Sequence, residues 1–381
     1  MITEHFDLII AGAGPAGTTC AMALEKSGLR IAVLDKDNFP RDKICGDFVA
    51  AKGVRELVSV KPELKERLAK YPRKVVNTKT HFYVNDLDPL DLNWVLKSYT
   101  IRRMDFDHEL VKMMLEDDKV SFYPQQRIKK VSATANGVSV QTATHTFTAQ
   151  MVIGADGAHS QVAKDLAHFK VDKQHYGGSV RAYYKNVENI KPEINEVYLH
   201  RNVIPGYFWL FPVSPTEANV GVGMHSTYIS KQKINIKERF YDFIEKSPRL
   251  KEKLGNAQME GKLEGFGLPF FSKKHVISGE RFLLLGDAAS MIDPTNGEGI
   301  MPAVVSGKLA AEQIEKAFAT QDFSALFLKD YEKAIHQRYW TEMKMKAWVV
   351  QAFADKHRLI NLIGWACVKS PFLKKRLQKL M

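Results

Sequence analysis

Residue types and spacings that suit chemistry cluster in a few places along the chain. Gly12-Ala13-Gly14-Pro15-Ala16-Gly17 offers a main chain that can wrap a phosphate. Gly12 permits a tight turn, Gly14 lets the backbone approach a pyrophosphate, and Gly17 lets a following helix lie close to a sheet. Asp35, followed by Lys36, stands where a carboxylate can take ribose hydroxyls, about 20 residues beyond such a turn. Cys45 ends the loop Phe39-Pro40-Arg41-Asp42-Lys43-Ile44-Cys45-Gly46. Arg41 and Lys43 favour a thiolate or a phosphate nearby, and Gly46 lets the chain pass close to a flat ring. In Pro205-Gly206-Tyr207-Phe208-Trp209-Leu210-Phe211-Pro212 the side chains of Tyr207, Trp209 and Phe211 share one face of a strand. They would form a flat aromatic wall for an isoprenoid chain or a planar ring, with the Tyr207 hydroxyl to orient it.

These residues need elements to hold them. The apolar run Phe6 to Ala11 predicts a strand, Pro15 to about Lys26 a helix stopped by Ser27-Gly28, and Arg30 to Leu34 a second strand ending in Asp35. Strand, glycine turn, helix and acid-ended strand together predict dinucleotide binding, without choosing between NAD and FAD. Two further apolar strands end in acidic turns, Gly154-Ala155-Asp156-Gly157 and Gly286-Asp287-Ala288-Ala289. Each puts an Asp at the edge where open α/β sheets bind ligands. Pro294 to Ile300, with Gly297 and Gly299, precedes a helix of small residues over Ala303 to Ile314. Its N-terminus would present free N–H groups and a positive end.

Elsewhere the pattern predicts a charged helical stretch over Ala51 to Lys70, strands over Arg73 to Ile101 and a helix over Asp105 to Glu116. Strands follow over Val120 to Val140, turning at Asn136-Gly137. A strand-rich block from Tyr176 to Phe271 is broken by a helix near Ile236 to Lys246, and helices fill the chain after Asp287. The expected fold class is α/β. A discontinuous Rossmann-like domain (1–72, 102–172 and 275–330) is interrupted by a β-sheet substrate domain (73–101 and 173–274) and followed by a helical, basic segment (331–381).

The chain has 381 residues, 45% of them hydrophobic, enough for a sizeable core. Its three cysteines are too few and scattered for a disulfide framework or a zinc site, so no metal is expected. Cys20 and Cys367 read as small buried apolar residues. No secretory signal precedes the first strand, and no apolar stretch reaches transmembrane length, so a cytoplasmic setting is expected. The net charge is +12, and residues 355–381 hold seven Lys/Arg against one Asp. Phe372 to Met381 reads as an amphipathic helix suited to rest on an anionic membrane. Nucleic-acid binding is not expected, for no recognised motif is present and the basic residues are not interleaved with stacking aromatics.

With the three strand ends in view, the chain resembles the flavoprotein superfamily of the p-hydroxybenzoate hydroxylase type, from Phe6 to about Ala319. That superfamily holds aromatic hydroxylases, flavin-dependent halogenases and geranylgeranyl reductases. The resemblance implies that the first glycine motif holds the ADP half of FAD. It implies that Asp156 and Gly157 support the FAD region and the approach of NADPH or NADH, and that Gly286 and Asp287 bind the ribityl or ribose part. Arg103 matches an arginine on the FAD side. Within the superfamily, the loop around Cys45 and the string Tyr207-x-Trp209-x-Phe211-Pro212 resemble the geranylgeranyl-reductase branch, whose Cys lies near the isoalloxazine. The turn Gly297-Glu298-Gly299 is similar as well. Asp47 departs from that branch, which often has a glycine there.

The implied activity is reduction of carbon–carbon double bonds in a prenyl lipid or isoprenoid quinone, by hydride from flavin N5. Cys45, then Tyr207, then water would supply the proton, and Tyr207, Trp209 and Phe211 would line the substrate cavity. The helix start at Gly297-Glu298-Gly299-Ile300 would stabilise negative charge on the reduced ring. NADPH, NADH or a small redox protein would supply electrons. An aromatic monooxygenase or halogenase is the alternative that shares these motifs. A flavin-bearing lipid carrier and a plain NAD-dependent dehydrogenase are weaker readings.

Overall fold

The computed structural model describes residues 2–85, 87–370 and 372. The four-residue runs Leu8–Ala11, Ile31–Leu34 and Met151–Gly154 are buried on every side chain. Strands apolar on both faces belong in a parallel sheet covered on both sides. They form the middle of a six-stranded sheet whose order is Ser278–Gly279, Phe282–Leu284, Met151–Gly154, Leu8–Ala11, Ile31–Leu34, Val120–Tyr123. All neighbours are parallel except the first pair. In register, Ala11 lies between Gly154 and Leu34, so the glycine turn, the Ala155-Asp156 turn and Asp35 emerge at the same sheet edge.

Helix Pro15–Ala23 packs between helices Arg103–Met114 and Ile300–Thr320 over this edge. The helix is shorter than its sequence pattern predicts, and Leu24 caps it by returning its N–H to Cys20 and Ala21. The charged stretch after Ala51 is two helices, Ala51–Val60 and Leu64–Lys70. Pro62, between them, cannot continue the first. A separate four-stranded sheet joins Ile2–His5 to His145–Ala149, Gly137–Gln141 and Lys130–Thr134.

The third sheet has eight strands, in the order Gln258–Pro269, Tyr176–Lys185, Glu217–His225, Gly206–Pro212, Ile194–Leu199, Val75–Val84, Leu90–Thr100, Phe48–Val49. Its last strand comes from the segment 1–72 assigned to the nucleotide domain. Phe48 and Val49 pair with Thr100 and Tyr99, so the Cys45 loop leads directly into this eight-stranded sheet. Phe208 and Leu210 point to a packed face shared with Phe240 and Phe243 of helix Ile236–Lys246. Helices Ser226–Lys231 and Pro248–Leu254, which the hydrophobic pattern did not reveal, flank that helix. The alternate residues Tyr207, Trp209 and Phe211 face the other way, toward the nucleotide sheet.

Two long helices end the description, Ala325–Phe353 and His357–Lys369. The amphipathic helix expected beyond Ser370 lies, Phe372 apart, outside the described residues. Among those described, no helix is long and apolar enough to cross a membrane, and no cluster of His, Cys, Asp and Glu could hold a metal.

Candidate active site

The glycine turn is dictated by close contact. Gly12 has φ +106°, and a Cβ there would collide with the Ala155 carbonyl; a Cβ on Gly17 would collide with the Gly12 carbonyl. Gly14 differs, because a Cβ there would meet only Nη2 of Arg41, at 3.9 Å. The space over Gly14 is therefore open to a ligand. Asp35 is buried and its carboxylate accepts the N–H groups of Ala13 (2.8 Å) and Asp37 (2.9 Å). Burial raises its pKa, and those two N–H groups and Arg41 draw it back down. Lys36 beside it is exposed and lines the same cleft.

Further along, two arginines share one carboxylate. Arg103 Nε and Nη2 each donate to Asp107 at 2.7 Å, and Arg41 Nη1 donates to Asp107 Oδ2 at 2.9 Å. Asp107 and Arg103 are one helical turn apart and both buried. Burial disfavours each charge, but their mutual attraction prevails. Asp107 stays below its ordinary pKa, and Arg103 is held above its own by Asp107 and the Cys45 sulfur beside it. Arg41 also reaches Asp37 Oδ2 at 3.8 Å, and both guanidinium groups line the cleft, where their N–H donors suit a pyrophosphate. Lys43 lies 3.3 Å from Asp287 and its ammonium sits 4.5 Å from the Phe266 ring centroid.

The Cys45 loop is pinned to the aromatic strand by Asn219, on the neighbouring strand. Asn219 Oδ1 accepts Trp209 Nε1–H (2.9 Å), while its Nδ2 donates to the Cys45 carbonyl (2.7 Å) and to Asp47 Oδ2 (2.8 Å). Asp47 also accepts the Tyr183 hydroxyl (2.7 Å) and the Arg103 backbone N–H (3.2 Å). Its φ is +64°, the left-handed region where a glycine would be unstrained. Fully buried, its pKa is pushed up to about 6 by desolvation, against the pull of Tyr183, Asn219 and Arg181. The Tyr183 ring lies between the guanidinium groups of Arg102 and Arg181, 4.2 and 4.4 Å from its centroid. A Cβ on Gly46 would sit 3.3 Å from Phe211 and 3.6 Å from Trp209 Nε1, so the loop rides directly against the aromatic wall. Tyr207 donates its hydroxyl to the Asn296 carbonyl, and burial raises its pKa.

Asp156 is tied into its own turn. Its carboxylate accepts Ser160 Oγ–H and the N–H groups of Gln161 (2.7 Å) and Val162 (3.4 Å). It takes the first N–H groups of helix Gln161–Leu166, whose cap is Ser160, and so fixes the turn around Gly157. Gly157 has φ +81° and open space where a side chain would be. Gly286 (φ +54°) lies under the cleft against Ala16 and Ala303, its N–H bonded to Ser306 Oγ at 3.0 Å. Gly297 (φ +68°) would place a Cβ 3.5 Å from the Tyr207 oxygen, and one on Gly299 would lie 3.3 Å from Asp287 Oδ1. Ile300 opens helix Ile300–Thr320 with no side-chain cap, leaving its N-terminal N–H groups toward the cleft. Glu298 turns away from the cleft. Burial and Asp293 raise its pKa to about 7, against Lys346 and Lys52.

One cleft of about 630 Å³ unites these parts. Gly12, Gly14, Ala16, Asp35, Lys36, Arg41, Cys45, Gly46, Arg103, Asp156, Gly157, Asp287, Gly297, Gly299, Ile300, Tyr207, Trp209 and Phe211 all line it. Gly17 and Gly286 lie just behind the lining. The sequence reading missed Asp47, Asn219, Tyr183, Arg181 and Asp107. Asp107 left a readable trace, since Arg and Asp four apart on a helix pair naturally; the others are united only by the fold.

An elongated dinucleotide fits this cleft. Its walls run from a phosphate-binding turn with open space at Gly14, past Asp35 and the Arg41–Asp107–Arg103 cluster, to an uncapped helix start facing an aromatic wall. Fold and site define a dinucleotide-binding flavoprotein whose reactive end is enclosed by a second sheet. The chain belongs to the FAD binding domain family, whose model matches residues 5–340, and it is an FAD-dependent oxidoreductase. It is similar to menaquinone reductase of Mycobacterium tuberculosis, with 27% identity covering 82% of this chain and 78% of that one. It is also similar to digeranylgeranylglycerophospholipid reductase of Thermoplasma volcanium, with 25% identity covering 91% and 87%. A geranylgeranyl bacteriochlorophyll reductase-like protein of Thermoplasma acidophilum shares the fold over all of both chains, with a TM-score of 0.82 and 23% identity. A flavin-dependent brominase shares it over 99% and 93%, with a TM-score of 0.78 and 20% identity.

Proposed function

We propose that this protein reduces carbon–carbon double bonds of a prenyl lipid or an isoprenoid quinone. The observation that carries the reading is the Cys45–Gly46 loop, held by Asn219 against Trp209 and Phe211 at the reactive end of the cleft. Menaquinone and prenyl-lipid reductases among the similar proteins support it. Bound FAD, when reduced, supplies a hydride for one alkene carbon. The residues of the chain do the rest. Tyr207, Trp209 and Phe211 give an apolar surface along which an isoprenoid can lie, and holding an unpolarised alkene in one pose supplies much of the rate. Cys45 delivers the proton to the second carbon, so that the double bond gains one hydride and one proton. Arg103 beside the sulfur stabilises the thiolate left behind, and solvent reprotonates it. Tyr207, whose proton is engaged by Asn296 and whose pKa is raised, orients rather than donates.

NADPH, NADH or a small acidic redox protein supplies the electrons, and the basic surface of the chain favours an acidic donor. The test is anaerobic. Photoreduced protein is mixed under nitrogen with a menaquinone, a geranylgeranylated lipid or an aromatic acid. Reoxidation of the flavin by a prenyl compound, with a product two hydrogens heavier in its isoprenoid chain and not in its quinone ring, is expected. Reoxidation only with dioxygen and an aromatic acid would assign the chain to the monooxygenases or halogenases instead.

A further inference from the structure

The two C-terminal helices expose more apolar surface than their packing explains. Helix Ala325–Phe353 buries one row, including Tyr331, Ile335, Tyr339, Met343 and Ala347. Its neighbours Met345, Trp348 and Val349, spaced i, i+3, i+4, stand exposed, Trp348 by 64%. After a turn over residues 354–356, helix His357–Lys369 docks through Gly364, where a Cβ would lie 2.8 Å from Val84, and through Cys367 against Leu90 and Leu92. It turns Leu359, Leu362 and Ile363 outward at the same spacing, with Trp365 52% exposed. Isolated exposed apolar residues are ordinary, but rows of them with two tryptophans mark a surface that meets something.

Charge selects the occupant. Lys344, Arg358 and Lys369 are exposed on these two helices, and Lys356 is exposed in the turn between them. From residue 342 to residue 370 the acids are Glu342, which pairs with Lys346, and Asp355. Four more cations, Lys374, Lys375, Arg376 and Lys379, follow in the sequence. A second copy of the chain would bring like charge against like charge. An anionic bilayer offers acyl chains for the Leu and Ile rows, a headgroup layer that tryptophan prefers, and phosphates for the cations.

We propose that this face, from Met345 to Trp365, seats on the surface of an anionic lipid bilayer, with Trp348 and Trp365 in the headgroup layer. The proposal does not rest on the substrate assigned above. The test uses the full FAD-loaded chain and vesicles of phosphatidylcholine with or without phosphatidylglycerol. Co-sedimentation with the anionic vesicles and a blue shift of tryptophan emission are expected, with weak binding to neutral vesicles. The double variant Trp348→Ser, Trp365→Ser should lose about tenfold or more in vesicle affinity, and Lys356→Glu with Arg358→Glu should lose the preference for anionic lipid. An unchanged flavin spectrum and FAD content show that the variants are folded. Equal binding to both vesicle types, or binding indifferent to both double variants, overturns the proposal. So does a dimer in sedimentation equilibrium that the Trp348→Ser, Trp365→Ser change turns into monomer without any vesicle binding.

Discussion

Replacing Asp47 by Asn keeps the side chain's shape and removes its charge. Asp47 is fully buried, and its pKa rises from 3.8 to about 6, with desolvation the largest cause. A carboxyl whose folded pKa lies above its unfolded one favours folding most at low pH. That advantage shrinks once the unfolded chain ionises, near 3.8, and is gone above 6. With those two values, its ionisation disfavours the folded state by about 2 kcal/mol at pH 5 and about 3 kcal/mol at pH 7.5. Asn carries no such penalty. Its poorer match to the N–H and O–H donors of Tyr183, Asn219 and Arg103 is a loss independent of pH. The stability of the native protein relative to Asp47→Asn should therefore fall by about 1 kcal/mol from pH 5 to pH 7.5. Urea unfolding of both FAD-loaded proteins at the two pH values, followed by circular dichroism, measures this difference. A difference that stays flat, or that grows with pH, refutes the assignment of a raised carboxyl to Asp47.

Other substitutions probe the remaining parts. Gly17→Ala forces a methyl into the Gly12 carbonyl, so purified protein should carry at most about a tenth of the native FAD by absorbance. Cys45→Ser keeps the loop but supplies a far weaker acid; substrate-linked anaerobic reoxidation should slow by about 100-fold or more with the flavin spectrum retained. Asn219→Leu leaves Trp209 Nε1, the Cys45 carbonyl and Asp47 without a shared partner. It should destabilise the protein by about 2–4 kcal/mol in the same urea assay. Arg103→Met leaves Asp107 buried with Arg41 alone, and FAD affinity measured by fluorescence titration should drop by at least about tenfold.

How legible the site was depends on how local each requirement is. The glycine turn shows in the sequence because its steric demands are met within a few residues, and Asp35 because its strand is continuous with the turn. The aromatic wall shows because alternation alone puts Tyr207, Trp209 and Phe211 on one face. The clasp beneath it does not. Asp47 meets Tyr183 and Asn219 across 136 and 172 residues, and only the pairing of three strands brings them together. The motif at Asp156 located the right turn, and what it did not disclose is that the carboxylate also holds the N-terminus of the helix that follows. In the fold, the break at Pro62 was present in the sequence but hidden by the continuous charge pattern around it. The capture of Phe48–Val49 by the eight-stranded sheet has no local signature at all.

The order of strands in the nucleotide sheet also sets a timetable for synthesis. Leu8–Ala11 must wait for Met151–Gly154, and that strand waits for Phe282–Leu284. At about 5–20 residues per second, a ribosome needs about 15–60 s to reach Asp287. Through that interval the nascent N-terminus carries uncovered strand edges and a half-built nucleotide cradle. Capture of FAD therefore falls late in translation, and a truncated messenger would leave a product that chaperones and proteases meet before any flavin does.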